Sequence, residues 1–287
     1  MPRSNHDLDD RELDDRELAV LGVRIADVYE ARALEIVRGM IDRRDGKTRI
    51  VYFVNANALN IAASDESYRA VLNAADCVFG DGTGVRWAAR LRGVRLRDNV
   101  NGTDLVPSML AQSFGPERRY FLLGTDEESI RRAAKHAAEA FPRWTLAGFH
   151  HGYLSTPELD AQAVECIRRA RADVLLVGMG NPLQEVWIHR HRDCIGVPVC
   201  LGVGGLFQYW AGTIRRAPQW LRGSGFEWLG ILAQQPAKAR RYLLGNPLFL
   251  ARICRDAWRL RHGRPPNLRE RLTATTTRSG SSNSVPR

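Results

Sequence analysis

The chain has 287 residues, 44% hydrophobic and 26% charged, which excludes a disordered chain, a collagen-like repeat and a disulfide-stapled miniprotein and accommodates one α/β unit with an appendage. Its 42 Lys and Arg stand against 32 Asp and Glu, and residues 215–287 hold 15 of the basic side chains with only three acids (Glu227, Asp256, Glu270). The excess positive charge therefore belongs to the C-terminal quarter, which points to an anionic ligand or surface met by that segment.

Residues 1–17 are polar, and residues 5–18 contain a short duplication, L-D-D-R-E followed by L-D-D-R-E-L. Nothing in them can pack, so they are expected to form a solvated, disordered leader. The start is acidic where a secretory signal would be basic and then apolar, which predicts a cytoplasmic chain. The paired aspartates Asp9/Asp10 and Asp14/Asp15 are expected to face solvent rather than bind metal, because a divalent ion needs oxygens converging from a rigid frame. No apolar run approaches the roughly 18 residues that span a bilayer. The five cysteines are scattered and lack a C-x-x-C pair, so they are expected to be buried thiols in a reducing compartment.

From Leu18 the sequence alternates short apolar runs with helical spacing. The runs are Val20 to Ile25, Ile50 to Val54, Cys77 to Phe79, Tyr120 to Leu123, Trp144 to Phe149, Val174 to Val177 and Val197 to Leu201. Strand followed by helix followed by strand predicts parallel pairing with helices on both faces. The expected core, residues 18–218, is a Rossmann-like, doubly wound, mostly parallel α/β sheet. In such sheets ligands lie beyond the carboxyl ends of the strands.

After Pro218 the strand-like runs stop, and residues 219–263 are expected to form a basic helical appendage. Asn246 as cap and Pro247 in the first turn predict a helix start. Its apolar face would carry Leu250, Ile253, Cys254, Ala257 and Trp258, with Arg252, Arg255 and Arg259 opposite. Such a helix either covers the core or lies on an anionic membrane. Residues 264–287, rich in Pro, Ser and Thr, are expected to be a disordered tail.

Three junctions between strand and helix carry chemistry. In Phe79-Gly80-Asp81-Gly82-Thr83-Gly84, Asp81 is either a helix N-cap or a general base aimed at a hydroxyl. In Gly178-Met179-Gly180-Asn181-Pro182-Leu183-Gln184-Glu185, glycine amides and a helix N-terminus suit a phosphate, although a plain tight turn fits too. The third, Gly202-Val203-Gly204-Gly205, leads to Arg215-Arg216-Ala217-Pro218. Three such loops at one sheet edge predict a nucleotide or diphosphate site. Asn55, Asn57, Asn99, Asn101 and Asp104 follow strand ends, where amides bind sugar hydroxyls or satisfy turn backbone. His189 and His191 are read as surface or partly packed residues, because an H-x-H pair on a helix points its rings apart. His150-His151-Gly152 reads as a turn.

Taken in order, these motifs resemble the WecB/TagA/CpsF family of bacterial glycosyltransferases. The resemblance runs from about Val20 to Tyr242. It rests on V-N-A-N at 54–57, G-D-G-T-G at 80–84, N-G-T-D-L at 101–105, G-x-G-x-P-x-Q-E at 178–185, G-V-G-G at 202–205, A-G-x-x-x-R-A-P at 211–218 and E-W-L at 227–229. It implies inverting, metal-independent transfer of a hexose or N-acetylhexosamine from a UDP-sugar to a polyprenyl-diphosphate-linked sugar in cell-surface polysaccharide assembly. The enzyme would be peripheral on the inner face of the cell membrane, with an anionic membrane surface as partner. No separate cofactor and no nucleic-acid partner are expected, and apolar helices of the body leave room for a homo-oligomer.

The resemblance assigns the catalytic base to Asp81. Substrate binding would fall to Asn55, Asn57, Gly82, Thr83, Asn101, Asp104, Gly178, Gly180, Asn181, Gln184, Gly204 and Gly205, with Arg215, Lys238 and Arg241 as cations for the departing diphosphate. The sequence departs from the family pattern at Asn55, where a threonine is usual, at Asn99, where some members carry arginine, and at Ile231 and Gln235, which replace an arginine and a glutamate. A dehydrogenase-like nucleotide enzyme is the alternative on the same fold. It requires G-x-G-x-x-G with an acid about 20 residues on, a combination absent here. The other alternative is nucleic-acid binding through the basic C-terminus, which charge alone supports.

Overall fold

A computed structural model describes residues 16–112, 117–215 and 239–262, with residues 230, 232, 234 and 235 between the last two segments. The chain opens with a hairpin, β1 (Arg16–Val20) and β2 (Val23–Asp27), followed by α1 (Glu30–Asp42) and β3 (Arg49–Val54). Helices α2 (Ala56–Ser64) and α3 (Glu66–Asn73) lead to β4 (Cys77–Gly80), and α4 (Thr83–Leu91) and α5 (Gly102–Ala111) lead to β5 (Arg118–Gly124). Then come α6 (Glu127–Ala140), β6 (Trp144–His150), α7 (Pro157–Ala170), β7 (Val174–Gly178), α8 (Leu183–His191), β8 (Val199–Gly202), the short α9 (Leu206–Trp210) and α10 (Ala239–His262).

The eight strands form one sheet in the order β1-β2-β4-β3-β8-β7-β5-β6. Every pairing is parallel except β1 with β2. This is the Rossmann-like α/β architecture expected from the alternating pattern. Central strands read as unbroken apolar runs because both faces are covered: in β3, Ile50, Tyr52 and Val54 join one core layer while Val51 and Phe53 join the other. All the parallel strands end at one edge, so the loops after β3, β4, β5, β6, β7 and β8 converge there.

The structure departs from the sequence expectations at several places. The run Val20 to Ile25 is not one strand. Leu21 and Gly22 take φ of 50° and 82°, the left-handed pair that closes a two-residue hairpin, so the run divides between β1 and β2. Residues 16 and 17, placed in the leader, belong to β1, where Arg16 pairs with Asp27. The third correction concerns α10, which begins at Ala239 and runs through Pro247 rather than starting there. Pro247 has no N–H to give the Leu243 carbonyl, but tertiary packing beyond it holds the helix. Phe249, Ile253 and Ala257 are buried, at spacings of four residues, and each of the two larger chains contributes roughly 1.5–3 kcal/mol of apolar burial.

The buried face of α10 matches the expected one at Ile253 and Ala257 only. Leu250, Cys254 and Trp258 are exposed, and Arg252, expected opposite the core, lies against it and donates through Nη1 to the backbone and side-chain oxygens of Asn60. Arg92 on the core pairs with Asp256, and Asn60 Nδ2 donates to the Gly245 carbonyl at 2.7 Å. The helix thus covers α2 and α4. All five cysteines are free, yet only Cys200 is buried while Cys166, Cys194 and Cys254 are exposed. Burial pushes the Cys200 thiol well above its ordinary range.

Candidate active site

The converging strand ends enclose a cleft of about 470 Å³, the size of a small-molecule site. Asn55, Asp81, Asn101, Gly178, Gly180, Asn181, Gln184, Gly204 and Gly205 all line it. All three glycine-bearing junctions therefore meet in one place. Asn57, Gly82, Thr83 and Asp104 are not in its lining, and Arg215 lines a smaller hollow beside it that shares Thr103, Tyr209 and Ile214. Lys238 lies outside the described residues, as does Ile231, and of Arg241 only the backbone in the first turns of α10 is described. Sequence reasoning missed Thr125, Gly152 and Tyr153, at the ends of β5 and β6, and Gln208 and Tyr209 on α9. The parallel topology was the signal available: the ends of β3 to β8 lie at that edge and all contribute.

Asp81 follows β4, and its backbone N–H donates to the Val54 carbonyl at 2.8 Å, joining the ends of β4 and β3. It is not the helix N-cap. That position belongs to Gly82, which has φ +88° and no side-chain cap, a backbone conformation that favours glycine. The cap reading of Asp81 therefore fails, and Asp81 is the only carboxyl side chain among the described residues that line the cleft. The asparagines do cap. Asn55 Oδ1 accepts from the amides of Asn57 and Ala58, and Asn101 Oδ1 accepts from the amide of Asp104 at 2.9 Å while its Nδ2 donates to Asp104 Oδ2 at 2.8 Å. Asp104 acts from behind the cleft wall, by holding Asn101.

The glycine loops are not bare amide cradles. Gln184 Oε1 accepts from the Gly180 N–H at 3.2 Å and from the Gly204 N–H at 3.0 Å, so two amides expected to await a phosphate are joined through one side chain. Asn99 Oδ1 likewise takes the Gly82 N–H. Gly178 has a packing role: a Cβ there would lie 2.7 Å from the Phe207 ring and 2.9 Å from the Gly204 carbonyl, so the end of β7 reaches the β8 loop only without a side chain.

Beneath Gln184 lies Glu185, fully buried. Its Oε1 accepts from Asn181 Nδ2 at 2.6 Å and Gln184 Nε2 at 2.7 Å, and its Oε2 accepts from Tyr68 Oη at 3.0 Å. Burial pushes its carboxyl above the ordinary value of 4.5, while these three bonds pull in the other direction. Burial beside Glu185 also drives the Tyr52 and Tyr68 hydroxyls far above the usual phenol range.

Among the described residues no Lys or Arg lines the cleft, and no three His, Cys, Asp or Glu side chains gather as a metal site. His191 is buried against Trp187 with Nε2 3.0 Å from Asp160 Oδ2, and His189 is exposed. His150 ends β6 rather than lying in a turn, and its Nδ1 meets the His151 carbonyl; the cleft takes Gly152 and Tyr153 from the loop that follows.

The sequence model described as the glycosyl transferase WecG/TagA/CpsF family matches residues 18–263. The chain belongs to this family. It is also similar to two curated relatives, both described as N-acetylglucosaminyldiphosphoundecaprenol N-acetyl-beta-D-mannosaminyltransferase. The one from Bacillus subtilis strain 168 is 30% identical over 216 residues, covering 75% of this chain and 82% of the relative. The one from Staphylococcus aureus strain MW2 is 28% identical over 236 residues, covering 82% and 91%. The family match takes in both the sheet and α10.

Proposed function

We propose that this glycosyltransferase moves a hexose or N-acetylhexosamine from a UDP-sugar to a sugar carried on a polyprenyl diphosphate, in assembly of a cell-surface polysaccharide. The observation that carries the reading is Asp81: one carboxyl group in a cleft whose walls are the family's motif loops. In a single inverting displacement, Asp81 accepts the proton of the acceptor hydroxyl as that oxygen bonds to the anomeric carbon. The bond from that carbon to the diphosphate oxygen breaks, and its electron pair leaves with UDP. The cation that meets this charge is assigned to Arg215, Lys238 or Arg241, without a metal.

The acceptor's lipid places the reaction at a membrane surface, and α10 supports peripheral binding. Its outer side exposes Leu243, Leu244, Leu248 and Trp258, beside Arg255 and Arg259, the combination that suits an anionic interface. No helix among the described residues is long and apolar enough to cross a membrane. The test is a donor screen: UDP-N-acetylmannosamine, UDP-glucose and UDP-glucuronate offered with a short-chain prenyl-diphosphoryl sugar, reading released UDP. Acceptor-dependent release with one donor is the expected result. No release with any donor while UDP itself fails to bind would sink the reading.

A further inference from the structure

We propose that Glu185 is a positioning residue that sets the side-chain amide orientation of Gln184 and Asn181 and thereby fixes the β7–α8 and β8–α9 loops as one floor of the cleft. The inference rests on the reading that this cleft holds the nucleotide-sugar donor. Glu185 lines no part of the cleft. It acts through the two amides that do.

A primary amide has a donor end and an acceptor end, and committing one end decides the other. Glu185 Oε1 takes the nitrogen ends of both Gln184 and Asn181. The oxygen of Gln184 is then turned to the amides of Gly180 and Gly204, 20 residues apart from Gln184 in the second case. Reversed, that side chain would set an NH₂ group against two N–H donors. Asn181 lines the cleft and has its nitrogen engaged by Glu185, so its oxygen is the end that a sugar hydroxyl or ribose would meet. Glu185 is itself held from two further elements: Tyr68 Oη of α3 donates to its Oε2, and Tyr52 Oη of β3 donates to its backbone carbonyl at 2.9 Å. The acceptor geometry is thus supplied from outside the loops it organises, and among the described residues no cation bonds to Glu185.

The experiment compares E185Q, E185D and E185M. E185Q keeps an oxygen for both amide donors and lets its own NH₂ meet Tyr68 Oη. E185D keeps the charge but withdraws the oxygens by one methylene. E185M keeps the volume and removes the acceptors. Amide hydrogen exchange at Gly180 and Gly204 reads the loop floor without reference to activity. E185D and E185M should exchange at least tenfold faster at both sites than wild type, with E185Q within threefold. In transfer assays, donor KM should rise at least tenfold for E185D with kcat changed less than threefold, and E185Q should stay near wild type. Adding Q184A to E185D should then cost less than twofold further, since Glu185 acts through Gln184.

If E185M does not fold, E185D and E185Q still decide. Equal exchange in E185D and wild type, or E185Q as impaired as E185D, overturns the proposal. A wild type that lacks UDP-sugar activity yet shows the exchange pattern would instead fault the functional reading and leave the positioning role standing.

Discussion

Asn99 Oδ1 accepts the Gly82 backbone N–H at 2.6 Å, pinning the residue that follows Asp81 from a loop 17 positions away. Here a neutral amide does a mechanical job, holding the peptide at which the chain turns from β4 into α4. Replacing Asn99 with alanine removes a hydrogen bond worth about 1 kcal/mol, which corresponds to roughly fivefold in rate if expressed at the transition state. We expect N99A to lower kcat by about that factor with little change in melting temperature, measured by steady-state UDP release beside calorimetry. An unchanged kcat would show that the Gly82 peptide holds itself.

Asp81→Asn keeps the side chain's shape but removes its basicity. General base catalysis contributes roughly 100- to 10,000-fold, so kcat should fall within that range while UDP-sugar affinity, read by titration calorimetry, stays within a few-fold of wild type. Near-native turnover would remove Asp81 from the assigned role.

The proposed reaction assigns Arg215, Lys238 and Arg241 to the departing diphosphate, and no Lys or Arg lines the cleft among the described residues. Charge-assisted bonds contribute about 1.5–3 kcal/mol each. R215A should therefore reduce kcat/KM by on the order of 10- to 100-fold, and K238A and R241A offer the same comparison. An enzyme indifferent to all three changes would need a different source of positive charge.

Buried Glu185 predicts a pH dependence of stability. Its folded pKa is raised above the ordinary 4.5, so between these values the folded chain keeps a proton that the unfolded chain has released. Wild-type stability is then favoured below about pH 4.5 and declines as pH rises towards the folded value, by at most about 1.4 kcal/mol per pH unit. E185Q lacks this term. Urea melts at pH 4.5, 5.5 and 6.5 should show E185Q gaining on wild type with rising pH, and a constant difference would mean the carboxyl ionises equally in both states.

The two sides of α10 should separate by mutation. Phe249→Ala removes a ring 2% exposed that sits 3.1 Å from where a Cβ on Gly84 would stand. It should cost about 3–5 kcal/mol. Trp258, 62% exposed, can be changed to Glu at little cost to stability, within about 0.5 kcal/mol. W258E should nevertheless weaken flotation with anionic vesicles, while a parallel DNA titration stays weak and insensitive to the substitution. Vesicle binding that survives W258E, or DNA binding that falls with it, would reassign the basic end.

The sequence by itself determined the parallel sheet, because alternating strand and helix periods leave few other ways to bury apolar runs on both faces. It also determined the edge at which Asp81 and the glycine loops meet, since all parallel strands point their carboxyl ends the same way. Only the tertiary structure decided what each polar group does there. Whether Asp81 caps a helix, and whether the Gly180 and Gly204 amides face a ligand or Gln184, depends on contacts between residues far apart in the chain. The packed face of α10 was legible only in part, at Ile253 and Ala257, for the same reason. Periodicity predicts an apolar stripe, but α10 has apolar residues on both sides, and only the surface of α2 and α4 selects Phe249, Ile253 and Ala257 over Leu250 and Trp258.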